Sequence, residues 1–343
     1  MELRNLGRTG VKVSPLCLGA MMFGGWGNPD HDESVRIIHR ALDAGINFID
    51  TADVYSQGES EEIVAKALAG GRRNEVVLAT KVNGPMGEDP NQRGNSRRWI
   101  IREVESSLRR LKTDWIDVYQ IHRPDPSTDI EDTLSALTDL VRAGKVRYIG
   151  SSTFPASRIV EAQWVSRERG LERFATEQPP YSMLVRGIEA DVLPTCARHG
   201  VGVIPWSPLA SGWLTGLYRK GAELPRSTRS ERLPRRFDLA LEGNRRKLEA
   251  ADALALLAEE AGIALPELAL AWVINHPAVS AAIIGPRTME HLESHLPAAD
   301  RVLEASLLDR IDEIVPPGVN LNPEDAGYAD PELEPTARRR RGA

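Results

Sequence analysis

The sequence is short of several things, and each shortage narrows the function. Its 343 residues include two cysteines, Cys17 and Cys196, and neither belongs to a C-x-x-C pair. No disulfide framework is expected, and a reducing, cytoplasmic compartment is the natural setting. No apolar run reaches the length of a membrane span, and the opening MELRNLGRTG lacks the apolar stretch of a signal peptide. Positive charge is not in excess: 43 Lys and Arg stand against 49 Asp and Glu, a net charge of −6. That gives no reason to expect nucleic acid or an anionic membrane as partner. The local exception, ARRRRGA at the end, reads as a solvated tail. Neither G-x-G-x-x-G nor G-x-x-x-x-G-K-[ST] occurs, which counts against an open dinucleotide-binding sheet. The histidines are His31, His39, His122, His199, His276, His291 and His295, and none forms an H-x-H pair on a strand end. A metal-dependent hydrolase would need such ligands, so no metal is expected.

What is present is alternation. β-type runs recur at LCLGAM (16–21), INFID (46–50), EVVLATKV (75–82), IDVYQIH (116–122), VRYIGSS (146–152), FATEQ (174–178), GVIPWS (202–207) and AAIIG (281–285). Most are near-continuously apolar, as strands buried on both faces of a parallel sheet must be. Helical patterns fill the gaps. Ser96 caps one with an inward face of Ile101, Val104, Leu108 and Leu111; Asp129 precedes another with Ile130, Leu134, Leu137 and Val141. Further helices are expected over 31–44, 59–69, 156–169, 186–199, 247–261, 266–275 and 303–314, with Gly45, Gly144, Gly170, Gly200 and Gly262 as stops.

Eight strands alternating with helices predict an α/β fold, the (β/α)8 TIM barrel. The opening ELRNLGRTGVKVS reads as an N-terminal β-hairpin around Gly7 and Gly10 that closes the barrel floor. Residues 1–315 then form the barrel domain, and 316–343 a C-terminal extension with a disordered end. The segment 218–246 breaks the rhythm; it is polar, Arg-rich and interrupted by prolines. It reads either as a cover for an anionic cofactor or as a solvated excursion.

In such a barrel the site lies at the C-terminal ends of the strands. The polar residues there are Asp50, Lys81 and His122, with Tyr55 in the loop after the second barrel strand. A buried lysine needs a carboxylate, which Asp50 supplies. A cation beside a phenol favours phenolate, so Tyr55 is expected to have a lowered pKa and to serve as a tuned proton donor. His122 can hydrogen-bond and orient a substrate carbonyl. Such a set suits protonation of an oxygen as negative charge develops on it, as in carbonyl reduction. Trp26, Tyr55, Trp99, Trp206 and Trp213 offer aromatic walls for an aryl or alkyl carbonyl.

The stretch FIDTADVYSQGESEEIVAKAL resembles the first signature of the aldo-keto reductases, and LATKV and DVYQIHRPD are similar to the segments bearing that family's lysine and histidine. The resemblance runs from about residue 2 to about residue 315. It implies a catalytic tetrad of Asp50, Tyr55, Lys81 and His122, with Trp26 and Trp99 beside the substrate. It also implies NADP(H), bound in extended form without a Rossmann motif. By matching position, Gly19, Ala20, Met21 and Asp50 would adjoin the cofactor. Ser152 and Gln178 would meet the nicotinamide carboxamide, with Thr153 where Asn is usual, and Trp206 would stack on the ring. Ser207, Pro208, Leu209 and Ser211 would line the pyrophosphate, and Gly285, Arg287 and His291 the adenosine 2′-phosphate. Leu217 stands where a lysine is frequent, so Arg226 or Arg229 would substitute. The implied activity is reversible reduction of an aldehyde or ketone. The alternative is a cofactor-binding, redox-sensing regulatory subunit, since some members are channel-associated.

Overall fold

In the computed structural model, which describes residues 1–226, 228–329, 331 and 337 (228 and 229 by backbone alone), the chain opens with the expected hairpin. Strands β1 (Arg4–Asn5) and β2 (Lys12–Val13) pair antiparallel, Arg4 opposite Val13. Eight parallel strands follow: β3 (Leu16–Gly19), β4 (Phe48–Asp50), β5 (Val77–Val82), β6 (Ile116–Ile121), β7 (Val146–Ser152), β8 (Phe174–Gln178), β9 (Gly202–Val203) and β10 (Ala282–Ile284). They neighbour one another in chain order, and β10 pairs back onto β3. The ring closes between β9 and β10. There the Ser280 amide donates to the Val203 carbonyl at 2.8 Å and the Ile283 amide to that of Pro205 at 2.9 Å.

Side chains alternate along a strand, so every second residue enters the barrel. Phe48, Ala79 and Val118 form an inner apolar cluster with Leu6, Val13, Cys17, Ile204, Ala281 and Ile283. Two residues further along the same strands stand Asp50, Lys81 and Gln120, all buried. The interior therefore turns from apolar to polar towards the C-terminal ends. Leu6 and Val13 come from the hairpin, which plugs the opposite end. Gly7 makes this possible: a Cβ there would lie 2.6 Å from the Gly202 amide nitrogen, and its φ is +55°.

The helices are α1 (His31–Asp43), α2 (Glu59–Ala67), α3 (Arg97–Leu111), α4 (Ile130–Arg142), α5 (Ala156–Arg169), α6 (Val192–His199), α7 (Thr228–Arg232), α8 (Glu242–Glu260), α9 (Leu265–Asn275), α10 (Met289–His295) and α11 (Ala305–Ile314). Ser96 caps α3 as expected, accepting from the Trp99 amide at 3.3 Å. The inward face differs from the sequence reading, because Ile101 is 37 % exposed while Ile100 is fully buried. Val104, Leu108 and Leu111 are buried as expected. Buried Glu103 and Ser107 complete that face and serve Arg110, so an apolar-only pattern misplaced the stripe only at its first turn. The helix expected over 186–199 begins only at Val192. Ahead of it, Arg186 is drawn into ion pairs with Glu189 and Asp312, and its amide donates to the Val319 carbonyl.

Two late segments are tied onto the C-terminal face. The stretch after β9 is anchored by Trp213, whose ring lies 4.5 Å from Tyr218 and 5.5 Å from Phe237. Residues 316–329 fold back beside it. Asn322 Nδ2 donates to Asn244 Oδ1 at 3.0 Å, and buried Lys247 Nζ to Asp325 Oδ2 at 2.8 Å. Apart from Ala337, the ARRRRGA tail lies outside the described residues. Among the described residues no helix is long and apolar enough to cross a membrane.

Candidate active site

The four residues expected to act together meet at one place. Lys81 is fully buried at the inner face of β5. Its Nζ donates to Asp50 Oδ2 at 2.5 Å, to the Thr51 carbonyl at 2.8 Å and to the Tyr55 hydroxyl at 3.2 Å. The Tyr55 ring meets that of His122 edge-on, centroids 5.7 Å apart. Asp50 is oriented from its other oxygen by Gln178 Nε2 at 2.8 Å and Gln120 Nε2 at 3.1 Å. Gln120 was not foreseen; its only mark in the sequence is a polar residue inside the apolar run IDVYQIH.

These contacts decide the charges. Burial pushes the Lys81 ammonium down, but Asp50 and Tyr55 together hold it above the ordinary lysine value. Burial pushes the His122 imidazole well below its usual range, and the charges of Lys81 and Arg123 add to the effect. His122 is therefore neutral at working pH, and its ring nitrogens have no partner among the described residues. Tyr55 departs from expectation. Burial raises its pKa, and the attraction of Lys81 offsets this only in part because Asp50 opposes it. The hydroxyl is held protonated rather than lowered.

Around this centre the expected cofactor residues divide. Trp206 is half-buried, and its indole N–H donates to Thr153 Oγ1 at 3.3 Å. Ser207 and Ser211 border a small cavity with Trp206, Ala210 and Arg236. Ser152 is buried and donates to the Gln178 carbonyl at 2.9 Å. Gly19 and Ala20 are buried in the strand end, and the Ala20 amide donates to the Asp50 carbonyl. Met21 is half-buried beyond them. Gly285 is exposed, Arg287 half-buried, and His291 exposed on α10, so these three sit at an open rim. Pro208 and Leu209 continue the turn after Trp206. Arg226 is exposed, and the Arg229 side chain lies outside the described residues.

Two expected pocket walls are not walls. Trp99 is 2 % exposed inside the core cluster under α3, and Trp213 is fully buried in the aromatic stack described above. Large aromatic side chains bury readily, so composition alone could not tell wall from core. Trp26 does face the centre, its ring centroid 6.0 Å from that of Tyr55. The Glu59 carboxylate and Ser56 hydroxyl hold its loop through the Gly25 and Trp26 amides, and the Arg232 guanidinium covers the ring at 4.7 Å. On the far side, a Cβ on Gly327 would lie 2.7 Å from Trp206 Cζ2 and 3.2 Å from Thr153 Cγ2.

Backbone strain marks the same end of the barrel. Among the described residues, Ser56, Gln57, Asn83, Thr153, Ser207, Ala210 and Ser211 have positive φ in loops that follow strands, whereas Lys112 merely ends α3. Such conformations cost about 1–3 kcal/mol each and collect at functional sites.

Glu177 lies directly behind this face. It is fully buried, accepting from the Ser151 hydroxyl at 2.5 Å and the Phe154 amide at 3.1 Å, yet burial raises its pKa to about 7. A carboxyl raised in the folded state contributes stability that is full below its unfolded value, near 4.5, and lost as pH rises through about 7. Relative to Glu177→Gln, the wild type is expected to lose up to about 3 kcal/mol of unfolding free energy between pH 5 and pH 8. Urea titrations at the two pH values would check this; parallel profiles for the two proteins would refute it.

Known proteins resemble this chain over most of its length. The profile of the Aldo/keto reductase family matches residues 15–316. An oxidoreductase of Bacillus subtilis, YrpG, is 42 % identical over 92 % of this chain and 96 % of its own. An Arabidopsis thaliana protein named as a probable voltage-gated potassium channel subunit beta is 38 % identical over 92 % of this chain and 97 % of its own. The versiconal hemiacetal acetate reductase of Aspergillus parasiticus is 35 % identical over 98 % of each chain.

Proposed function

Because this chain belongs to the aldo/keto reductase family, we propose that it is an oxidoreductase that reduces an aldehyde or ketone to the alcohol, reversibly, with NADP(H) and with Tyr55 as proton donor. The observation that carries this reading is the buried chain Asp50–Lys81–Tyr55, with contacts of 2.5 and 3.2 Å, ending beside neutral His122.

The residues present fit a nicotinamide dinucleotide. Half-buried Trp206 offers an aromatic face. The hydroxyls of Ser207 and Ser211 follow it, and Arg236, whose guanidinium has no bonded partner among the described residues, borders the same cavity. Asp325 lines it too, its carboxylate paired with Lys247. An aromatic face, then hydroxyls, then a cation is what a nicotinamide ring followed by a diphosphate requires. Ser152, Gln178 and Trp206 would hold the nicotinamide end, Gly19, Ala20, Met21 and the turn Ser207–Pro208–Leu209–Ser211 the middle, and Gly285, Arg287 and His291 the adenosine end. The arginine favours the phosphorylated cofactor. When bound, the nicotinamide supplies the hydride.

The remaining work belongs to side chains. His122, neutral, donates a hydrogen bond to the substrate oxygen and fixes its direction. Tyr55 keeps its proton until negative charge develops on that oxygen, then releases it. Lys81 stabilises the phenolate left behind, and Asp50 with its two amide donors keeps Lys81 charged and pointed. Trp26 shields the reacting centre.

Steady-state NADPH consumption with a panel of small aldehydes tests the reading. Turnover at 1 s⁻¹ or faster, on the order of typical enzymes, is expected; oxidation of bound NADPH without repeated turnover would refute it. That second outcome would favour a redox-sensing regulatory subunit, the reading prompted by the name of the Arabidopsis relative.

A further inference from the structure

Arg123 directly follows His122, just past β6, and the proton transfer just described uses only its charge, which helps keep His122 neutral. Its guanidinium is half-buried. Nη1 donates to the His122 carbonyl at 2.5 Å and reaches the Ser152 hydroxyl at 3.4 Å, and the guanidinium carbon lies 5.7 Å from the Trp206 ring centre. Among the described residues its bonded partners end there, so Nε and Nη2 remain without an acceptor. The acid that acts on it electrostatically, Glu177, is turned instead to Ser151 and the Phe154 amide. Arg236, a second guanidinium without a partner among the described residues, also acts on it with the same sign. Asp50, meanwhile, is engaged with Lys81. Tyr55 and Glu177 favour the Arg123 charge from a distance, but among the described residues no carboxylate is bonded to it.

A guanidinium withdrawn from water and given no carboxylate is costly to keep. Its planar fork of donors matches a carboxylate in two-point geometry. It sits beside the tyrosine and histidine that receive the carbonyl oxygen, so an anion bound to it would belong to the body of the substrate. We propose that Arg123 is a specificity-determining residue that selects aldehydes or ketones bearing a carboxylate, binding that carboxylate while Tyr55 and His122 hold the carbonyl. This rests on the carbonyl-reductase reading above. A role limited to stabilising the Tyr55 phenolate would affect charged and neutral substrates alike, which separates the two possibilities.

The test uses matched pairs: 4-formylbenzoate against 4-formylbenzamide, and 4-oxobutanoate against butanal, each with NADPH. The wild type is expected to favour the carboxylated member of at least one pair by about tenfold or more in kcat/KM, chiefly through KM. In Arg123→Gln that ratio is expected to collapse by a similar factor, whatever loss the two substrates share. In Arg123→Lys it is retained in part, because charge survives while the fork does not. An unchanged ratio in Arg123→Gln, or no preference in the wild type, overturns the proposal. Failure of the wild type to reduce any of the four compounds would instead overturn the reductase reading beneath it.

Discussion

Replacing Tyr55 by phenylalanine is expected to lower kcat by roughly 10²–10⁴-fold, the usual scale for a lost general acid, while NADPH still binds within a few-fold of its wild-type affinity. The ring stays, so its edge contact with His122 and its packing on Trp26 survive. Lys81 keeps Asp50 and the Thr51 carbonyl. The group removed is the hydroxyl that carries the proton. His122 still reaches the substrate oxygen, but a neutral imidazole is a far weaker acid, and Lys81 remains bound to Asp50. Stopped-flow absorbance gives the rate, and fluorescence titration gives the affinity. A variant that turns over normally would remove Tyr55 from the chemistry. One that no longer binds NADPH would show that the hydroxyl shapes the cavity rather than serving as acid.

The larger structural loss is expected from Lys81→Met. Lys81 and Asp50 are both buried, and removing one partner of a buried ion pair costs about 3–5 kcal/mol because the other charge is left uncompensated. Gln120 and Gln178 would still donate to Asp50, but neutral donors do not balance a charge. Activity should disappear too, since the phenolate loses its cation. Adding Asp50→Asn to Lys81→Met should recover much of the stability and none of the activity. Denaturant titration of both variants against wild type checks the first part. If the double variant is no more stable than the single, the ion pair does not explain the loss.

How far the molecule could be read in advance depended on which physics decides each feature. The eight strands were legible because a strand covered on both faces must be apolar throughout, and runs such as LCLG and VLATKV are. Asp50, Lys81 and His122 were legible because polar residues ending such runs are conspicuous. Gln120 was hidden, since one glutamine inside an apolar strand reads as facing outwards. Ile101 was chosen over Ile100 because the true inward stripe of α3 includes Glu103, whose partner Arg110 is also paired with Glu61 of α2, a neighbour that only the fold supplies. The direction of the Tyr55 shift was missed for a related reason. The sequence suggests a neighbouring cation but not the depth of burial, nor that Asp50 would already absorb the field of Lys81. Trp99 and Trp213 show the same limit, for an indole's role is set by what surrounds it.

Gly327 belongs to no strand or helix of the barrel and carries no chemistry, yet its bare α-carbon is what lets the final stretch of chain rest against the Trp206 indole. The approach to that ring is therefore gauged by a hydrogen atom standing where any other amino acid would put a β-carbon. Pocket width and reaction chemistry are written in different parts of the gene, so a lineage could retune one without touching the other.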